Sequence, residues 1–509
     1  MKSPILGSAY VARSVNAADN RMVNLFPEMV PEGGKEPAYI QRTPGLKFWG
    51  FENGSYDPAR PIRGMVVTYQ SPYTVLYVVC ADALYRVNSA NSWVSLGTID
   101  GDGLVSIANS GTELFIATDA LSGYILTIAT DTLTQIADPD FPGSSSVTYL
   151  DGRFIFCRGD DSKVWCTDLL AGGSIDPLNF ASAESAPDPV VNVFANNGEL
   201  WVFGTQTTEV WSNVGGTGFP FAPIQSASIN TGCMGASTVC ALSGTLFWLG
   251  RDQSGSCMVY MANGYSAQRV STHAVEWQMQ EYLTAPPFYG YNDQLPFAFG
   301  YQQDGHTFYV LTFPTSGSST WVYDMATQSW HERAGYDSGA FARYRPQCHA
   351  CMIDPETGNT IVNLVGDYEK NIIYTLDLDT YYDFDTGVAG YVPQKWLRTW
   401  RALPTGTSNL KRTAHHSLQL DCETGVHDTA IGPVVDPQVS LRWSDDGGHT
   451  WSNARSVNMG ATANYSKRVI WRRLGATMKL RDRVYEVSGT DAVKIAIMGA
   501  ELILSPTDA

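Results

Sequence analysis

The sequence has no run of 18 uninterrupted apolar residues, so no transmembrane helix is expected. Its first residues, Met1-Lys2-Ser3-Pro4, lack the apolar stretch of a signal peptide, and a soluble protein made in a cytoplasm is expected. Basic residues are scarce: 33 Lys and Arg stand against 50 Asp and Glu, a formal charge of −17. That excludes a nucleic-acid surface built on overall basicity. The nine cysteines are odd in number and sit mostly in apolar, strand-like runs, which reads as buried free thiols in a reducing compartment. No Gly-x-Ser-x-Gly elbow, His-Glu-x-x-His helix or phosphate loop occurs, so the common nucleophile, zinc and nucleotide chemistries lack their usual carriers.

What the sequence does hold is 44% hydrophobic and 12% aromatic residues, enough for a sizeable core, with 47 Gly and 26 Pro among 509 residues. That composition suits many short strands joined by tight turns. The charge is uneven. Residues 388–509 hold 15 Lys and Arg against 11 Asp and Glu, a balance of +4. Residues 1–387 hold the remaining 18 and 39, a balance of −21. Two modules with different surroundings are implied.

A repeat organises the first of them. A glycine turn precedes a run of β-branched and aromatic residues at Gly111, Gly152, Gly198, Gly244, Gly305 and Gly358, and Tyr73-Thr-Val-Leu-Tyr-Val-Val is an earlier copy without the glycine. Gly111 to Gly358 spans 247 residues in five steps, a mean of about 49, the kelch-like end of propeller periods. A smaller apolar strand precedes each run, and another strand, such as Ser319-Thr-Trp-Val-Tyr-Asp324, follows it. Three or four strands per repeat read as propeller blades. The pattern predicts an all-β chain: an extended N-terminal arm over 1–45, with prolines at 27, 31, 37 and 44, a seven-bladed β-propeller over 46–387, and a β-sandwich-like domain over 388–509, where polar and apolar residues alternate. One helix is expected over His273–Leu283, within an inserted loop at 272–297 ended by Pro286-Pro287.

Candidate chemistry is thin. Cys348-His349-Ala350-Cys351 is the best metal candidate, but a strand sends its two sulfurs to opposite faces and no second cysteine pair completes four ligands. Two packed thiols are the competing reading. Asp383-Phe-Asp385-Thr-Gly387 starts like a calcium loop, yet its twelfth position is Gln394, so a solvated turn is expected. Ser444-Asp-Asp446-Gly-Gly448-His-Thr450-Trp451 resembles the Asp-box of sialidases and many other β-proteins. Physically it is a hairpin tie: the Asp446 carboxylate accepts backbone N–H groups, glycine supplies positive φ and Trp451 packs under the turn. Arg468, Arg472, Arg473, Lys479, Arg481 and Arg483 form a possible basic contact face for DNA or an acidic partner, and equally a solvated strand face.

The N-terminal segment carries Val23-Asn24-Leu25-Phe26-Pro27-Glu28 and Arg42-Thr43-Pro44-Gly45-Leu46. With Leu150-Asp-Gly-Arg-Phe, Trp165-Cys-Thr-Asp168-Leu169 and Lys467-Arg-Val-Ile-Trp-Arg-Arg-Leu-Gly475, this order resembles the tail nozzle, or packaged-DNA stabilisation, proteins of short-tailed bacteriophages. The resemblance implies a structural virion protein with no enzymatic activity and no cofactor. It implies a hexameric ring below the portal and adaptor that retains packaged DNA and carries a needle, tailspikes or fibres, with double-stranded DNA passing through the lumen. It also implies that Asn24, Pro27, Glu28, Thr43, Pro44 and Gly45 make assembly contacts. An acidic wall would repel DNA and let it slide. The alternatives are a sialidase-like propeller glycosidase, which needs converging Arg groups, an acid and a Tyr in the central mouth, and a non-catalytic receptor- or glycan-binding tail protein.

Overall fold

A computed structural model describes residues 1–14, 18–51, 57–70, 73–89, 92–184, 186, 188–216, 218–251, 257–284, 295–314, 320–353, 361–386, 390–404, 406, 412–426, 436–477 and 483–507. Each apolar run of the repeat forms the second strand of a small antiparallel sheet. Glu113–Ala117, Arg153–Cys157, Glu199–Gly204, Thr245–Arg251 and His306–Thr312 are examples. The turns before four of them have two central residues at positive φ: Asp151-Gly152, Asn197-Gly198, Ser243-Gly244 and Asp304-Gly305. That backbone matches the twist of a two-residue hairpin. The second strands are apolar on both faces because neighbouring sheets cover both; Leu114, Phe115, Ile116 and Ala117 are all 0% exposed.

Seven such sheets follow one another among the described residues, with first strands Ile62–Gln70, Ser106–Asn109, Ser146–Leu150, Val190–Asn196, Gly232–Cys233 with Cys240–Leu242, Phe297–Gln303, and Pro346–Ile353. These first strands pack against one another in sequence, the fourth meeting the fifth through the turn Ala236–Thr238, and Pro346–Ile353 packs back against Ile62–Gln70, so the circle closes. The last sheet takes its outer strand from the start of the chain: Gly45–Phe51 pairs antiparallel with Ile372–Asp377. The helix His273–Thr284 follows the fifth sheet, as its sequence predicts, and buries Val275 and Met279.

The described residues of 1–44, expected as an extended arm, pair with both modules. Met22–Val23 pairs parallel with Ser329–Arg333 of the sixth sheet and antiparallel with Trp396–Arg401 of the C-terminal block. The hairpin Leu25–Met29 and Ala38–Arg42 joins the strand Ala496–Pro506, and Lys2–Ser3 pairs with the same strand. The reason is apolar content: Met22, Val23, Leu25 and Ile40 are 0% exposed, and leaving them in water would forfeit roughly 1.5–3 kcal/mol each. Of the four prolines Pro27 sits within a strand, while Pro31, Pro37 and Pro44 lie between strands.

The C-terminal block is a sandwich. One sheet orders Trp396–Arg401, Val484–Gly489, Gln438–Ser444 and Arg455–Asn458; the other orders Val469–Arg472, Thr413–Cys422, Ala496–Pro506, Ala38–Arg42 and Leu25–Met29. Trp400, Leu418, Leu441, Trp471, Tyr485 and Val487 fill the space between. The same apolar cluster runs on through Met22 and Trp330 into Tyr309 and Phe247 of the propeller, so no solvent layer separates the modules. One of the alternating stretches, Met478-Lys-Leu-Arg481, lies outside the described residues.

Candidate functional site

A densely bonded polar site lies at the joint between the modules. Asn24 adopts φ 53, a conformation that asparagine tolerates better than other branched residues. Its Nδ2 donates to Ala334 O at 2.8 Å and to Lys395 O at 2.7 Å, and its Oδ1 accepts from Ala334 N at 3.0 Å. One side chain thereby ties the exit of the sixth sheet to the strand entering the sandwich. Arg42, 2% exposed, donates to Asp491 O, Val493 O, Tyr381 O and Gln394 O at 2.6–3.0 Å. Burial lowers its pKa to about 10, and the four carbonyls stand in for lost water. Gln394 Nε2 donates to Pro44 O at 3.1 Å. A Cβ on Gly45 would lie 2.3 Å from Thr380 O and 2.5 Å from Tyr382 O, so the closing strand can enter only as glycine.

Glu28 reaches into the sixth sheet. Its Oε2 meets His306 Nε2 at 2.6 Å, while His306 Nδ1 meets Asp324 Oδ2 at 2.8 Å. Burial pulls the imidazolium pKa down, but the two carboxylates outweigh it and the net shift is up to about 9. A protonated imidazole bridging two carboxylates is an electrostatic clasp between the N-terminal hairpin and the propeller.

Asn24, Pro27, Glu28, Thr43, Pro44 and Gly45, the residues expected to make assembly contacts, all bond within the chain, and Pro27 pairs with Ile40 in the hairpin. Asp383 is no solvated turn. It is 3% exposed, accepts from Leu46 N at 3.2 Å, and burial raises its pKa to about 6. The strand it occupies runs parallel beside the closing strand, which is what buries it. Gly387 lies outside the described residues. Arg483 leaves the expected basic face: it is 1% exposed, donates to Asp445 at 2.7 and 2.8 Å, and lies over Trp443 at 5.2 Å. Arg468, Arg472 and Arg473 are exposed; Lys479 and Arg481 lie outside the described residues.

In the Asp-box-like turn, Thr450 N and Oγ1 donate to Asp446 at 2.8 and 2.6 Å, Ser444 Oγ donates to Asp446 Oδ1 at 2.6 Å, and Gly447 and Gly448 have φ 77 and 100. The hydrogen bonds from Ser444 and Thr450 hold the Asp446 carboxyl well below its usual range. The Arg442 guanidinium lies 4.7 Å from the Trp451 ring.

Two candidates for chemistry remain. Cys348 is half-buried, with its thiol raised to about 12 by burial, whereas Cys351 is exposed. Between them His349 Nε2 bonds Asn363 Oδ1 at 3.0 Å. Among the described residues no group of three or more His, Cys, Asp or Glu is placed to hold a metal. A cavity of about 640 Å³ at one mouth of the propeller is lined by Asp102, Asp119, Asp160, Arg158, Arg343 and Tyr368, among others. Its cations do not converge on open space: Arg158 binds Asp160 at 3.0 Å, and Arg343 lies over the Tyr368 ring at 3.9 Å. No helix among the described residues is long and apolar enough to cross a membrane.

Comparison with known proteins agrees with this architecture. The family model described as Bacteriophage P22 Gp10, beta-propeller, matches residues 1–381, and the one described as Bacteriophage P22 Gp10, beta-sandwich, matches residues 396–504. The tail hub protein gp10 of Salmonella phage P22 is 21% identical over 458 residues, which cover 87% of this chain and 86% of that protein. Among solved structures, the computationally designed Ika8 protein aligns over 65% of this chain and 100% of that one, with a TM-score of 0.37 and 10% identity, a likeness too slight to carry an argument.

Proposed function

The chain belongs to the bacteriophage P22 Gp10 family, and from that premise we propose that it is a structural hub of a short phage tail, acting as a rigid spacer rather than an enzyme. The observation that carries this reading is the joint. Asn24, Arg42 and the continuous apolar cluster weld propeller to sandwich, as suits a part that must transmit force without bending. We read the seven sheets as seven blades of one closed propeller, with Gly45–Phe51 as the latch; the circle of first-strand contacts supports this.

The finer roles proposed are a hexameric ring beneath the portal and adaptor, retention of packaged DNA, a conduit for its ejection, and attachment of needle, tailspike or fibre proteins. The acidic excess over 1–387 favours a wall that repels duplex DNA, since each basic contact to the backbone would brake its passage. Assembly within the host cytoplasm and residence in the virion tail follow. Cryo-EM of intact particles is the test. A ring of this chain between head and distal tail is expected; its absence from the tail, or a strongly basic lumen, would overturn the reading.

A further inference from the structure

We propose that the basic outer edge of the sandwich docks onto the acidic loop face of the propeller in a second copy of this chain. This rests on the hub reading and names the surfaces by which copies meet.

Residues 447–477 contain Arg455, Lys467, Arg468, Arg472 and Arg473 and no Asp or Glu, in a chain with 50 acidic residues. All five cations are exposed. The topology gathers them. Among the described residues Val469–Arg472 is the edge strand of its sheet, paired only with Thr413–Cys422, and it packs beside Arg455–Asn458, the edge of the facing sheet. Arg455 Nη1 donates to Arg473 O at 3.1 Å, which holds these cations side by side, and Arg468 Nε donates to the neutral Gln419 at 3.1 Å. The block's own ion pairs use other residues: Arg442 with Glu486, Arg483 with Asp445, Lys494 with Glu423. Lysine and arginine on an edge also deter strand pairing, but charge of either sign does that, and 31 residues without one carboxylate exceed the need.

The counter-surface is in the first three sheets. Alternating strands send the connections between second and third strands, and those between successive sheets, to one face. Asp82, Asp100, Asp102, Asp119, Asp160 and Asp161 sit there. Arg60 pairs with Asp82 at 3.2 Å, Arg63 with Asp119 at 3.3 Å and Arg158 with Asp160 at 3.0 Å. The remaining three carboxylates exceed the cations of those pairs. The six are a minority of the 39 acidic residues in 1–387, so a repelling conduit wall keeps its charge.

Among the described residues no ion pair joins the two poles inside one chain. The basic strand is four strands removed from Leu25–Met29 in its sheet, and the strand Met22–Val23 ties the sandwich to the sixth sheet, whereas the acidic loops belong to the first three. A second copy can supply the missing partner. Contact between two different surfaces is heterologous and propagates head to tail, closing into a ring when the rotation allows. For copies of formal charge −17, this orientation is the one that turns net repulsion into attraction.

The test uses the full chain, mass photometry at about 50 mM and about 500 mM salt, and two variants altered only at exposed positions. Arg468→Glu with Arg472→Glu makes the edge acidic; Asp82→Lys with Asp102→Lys makes the loop face basic. The wild type should associate at low salt and dissociate at high salt. Each variant alone should associate at least about ten-fold more weakly, and an equimolar mixture of the two should recover, since each then offers what the other lacks. Unchanged association in either variant, no recovery in the mixture, or a wild type monomeric at low salt would overturn the proposal. So would loss of duplex DNA retention in the first variant with self-association intact, which would make the edge a DNA contact. The hub reading is decided on particles and survives any of these results.

Discussion

Asn24 holds Ala334 from both sides of its peptide: its Nδ2 donates to Ala334 O at 2.8 Å, and its Oδ1 accepts from Ala334 N at 3.0 Å. The same Nδ2 also reaches Lys395 O, so this amide is shared between the sixth propeller sheet and the sandwich. Asn24→Asp keeps the shape but removes the donor and leaves two carbonyls without their partner. We expect a loss of about 2–4 kcal/mol in urea unfolding, from stranded buried acceptors near a new charge. A variant as stable as the wild type would remove Asn24 from the joint.

Gly45→Ala should be worse than an ordinary glycine substitution. The new Cβ would meet backbone oxygens of Thr380 and Tyr382, which cannot swing aside as a side chain can. We expect at least about 3 kcal/mol of destabilisation or insoluble expression, with early proteolysis of the seventh sheet. Limited proteolysis with mass spectrometry locates the opening.

The Glu28–His306–Asp324 clasp predicts a pH dependence on the alkaline side. The folded pKa of His306 is raised to about 9, against about 6.5 unfolded. Its stabilisation is therefore fully present below pH 6.5 and lost as pH rises through 9. The size is on the order of 3 kcal/mol at full effect. Urea melts from pH 6 to 10 should fall for the wild type and flatten in His306→Gln; equal slopes would refute the clasp.

Asp383 works in the opposite sense from a paired surface carboxylate. Burial raises its pKa to about 6, so the folded state holds its proton more tightly and stability declines as pH rises from about 4 through 6. Asp383→Asn keeps an acceptor for Leu46 N and carries no charge. It should melt higher than the wild type at pH 8 and about equal at pH 4; a lower melting temperature at pH 8 would show that the ionised form is needed.

Arg483 and Arg472 separate stability from surface charge. Arg483→Ala removes a buried guanidinium and leaves its half-buried partner Asp445 unpaired, and should cost about 3 kcal/mol. Arg472→Ala, exposed on the edge strand, should stay within about 0.5 kcal/mol of the wild type. Thermal melts of the two variants decide it.

Local sequence carried the repeat, because the information is local. A two-residue turn needs positive φ, so Asp151-Gly152 and Asn197-Gly198 announce their hairpins, and runs apolar on both faces announce covered strands. The helix at His273–Thr284 and the alternating strands of the C-terminal block were legible for the same reason. What the sequence by itself determined was thus the kind of element and its period. The joint was not legible, because its partners are hundreds of residues apart: Asn24 with Ala334 and Lys395, Arg42 with Gln394, Glu28 with His306. Only the tertiary structure decided that the described residues of 1–44 pair into both modules, that Asp383 is buried and that Arg483 leaves the basic face. An apolar or charged residue records that it needs a partner, but the closing of a circle chooses which one it receives.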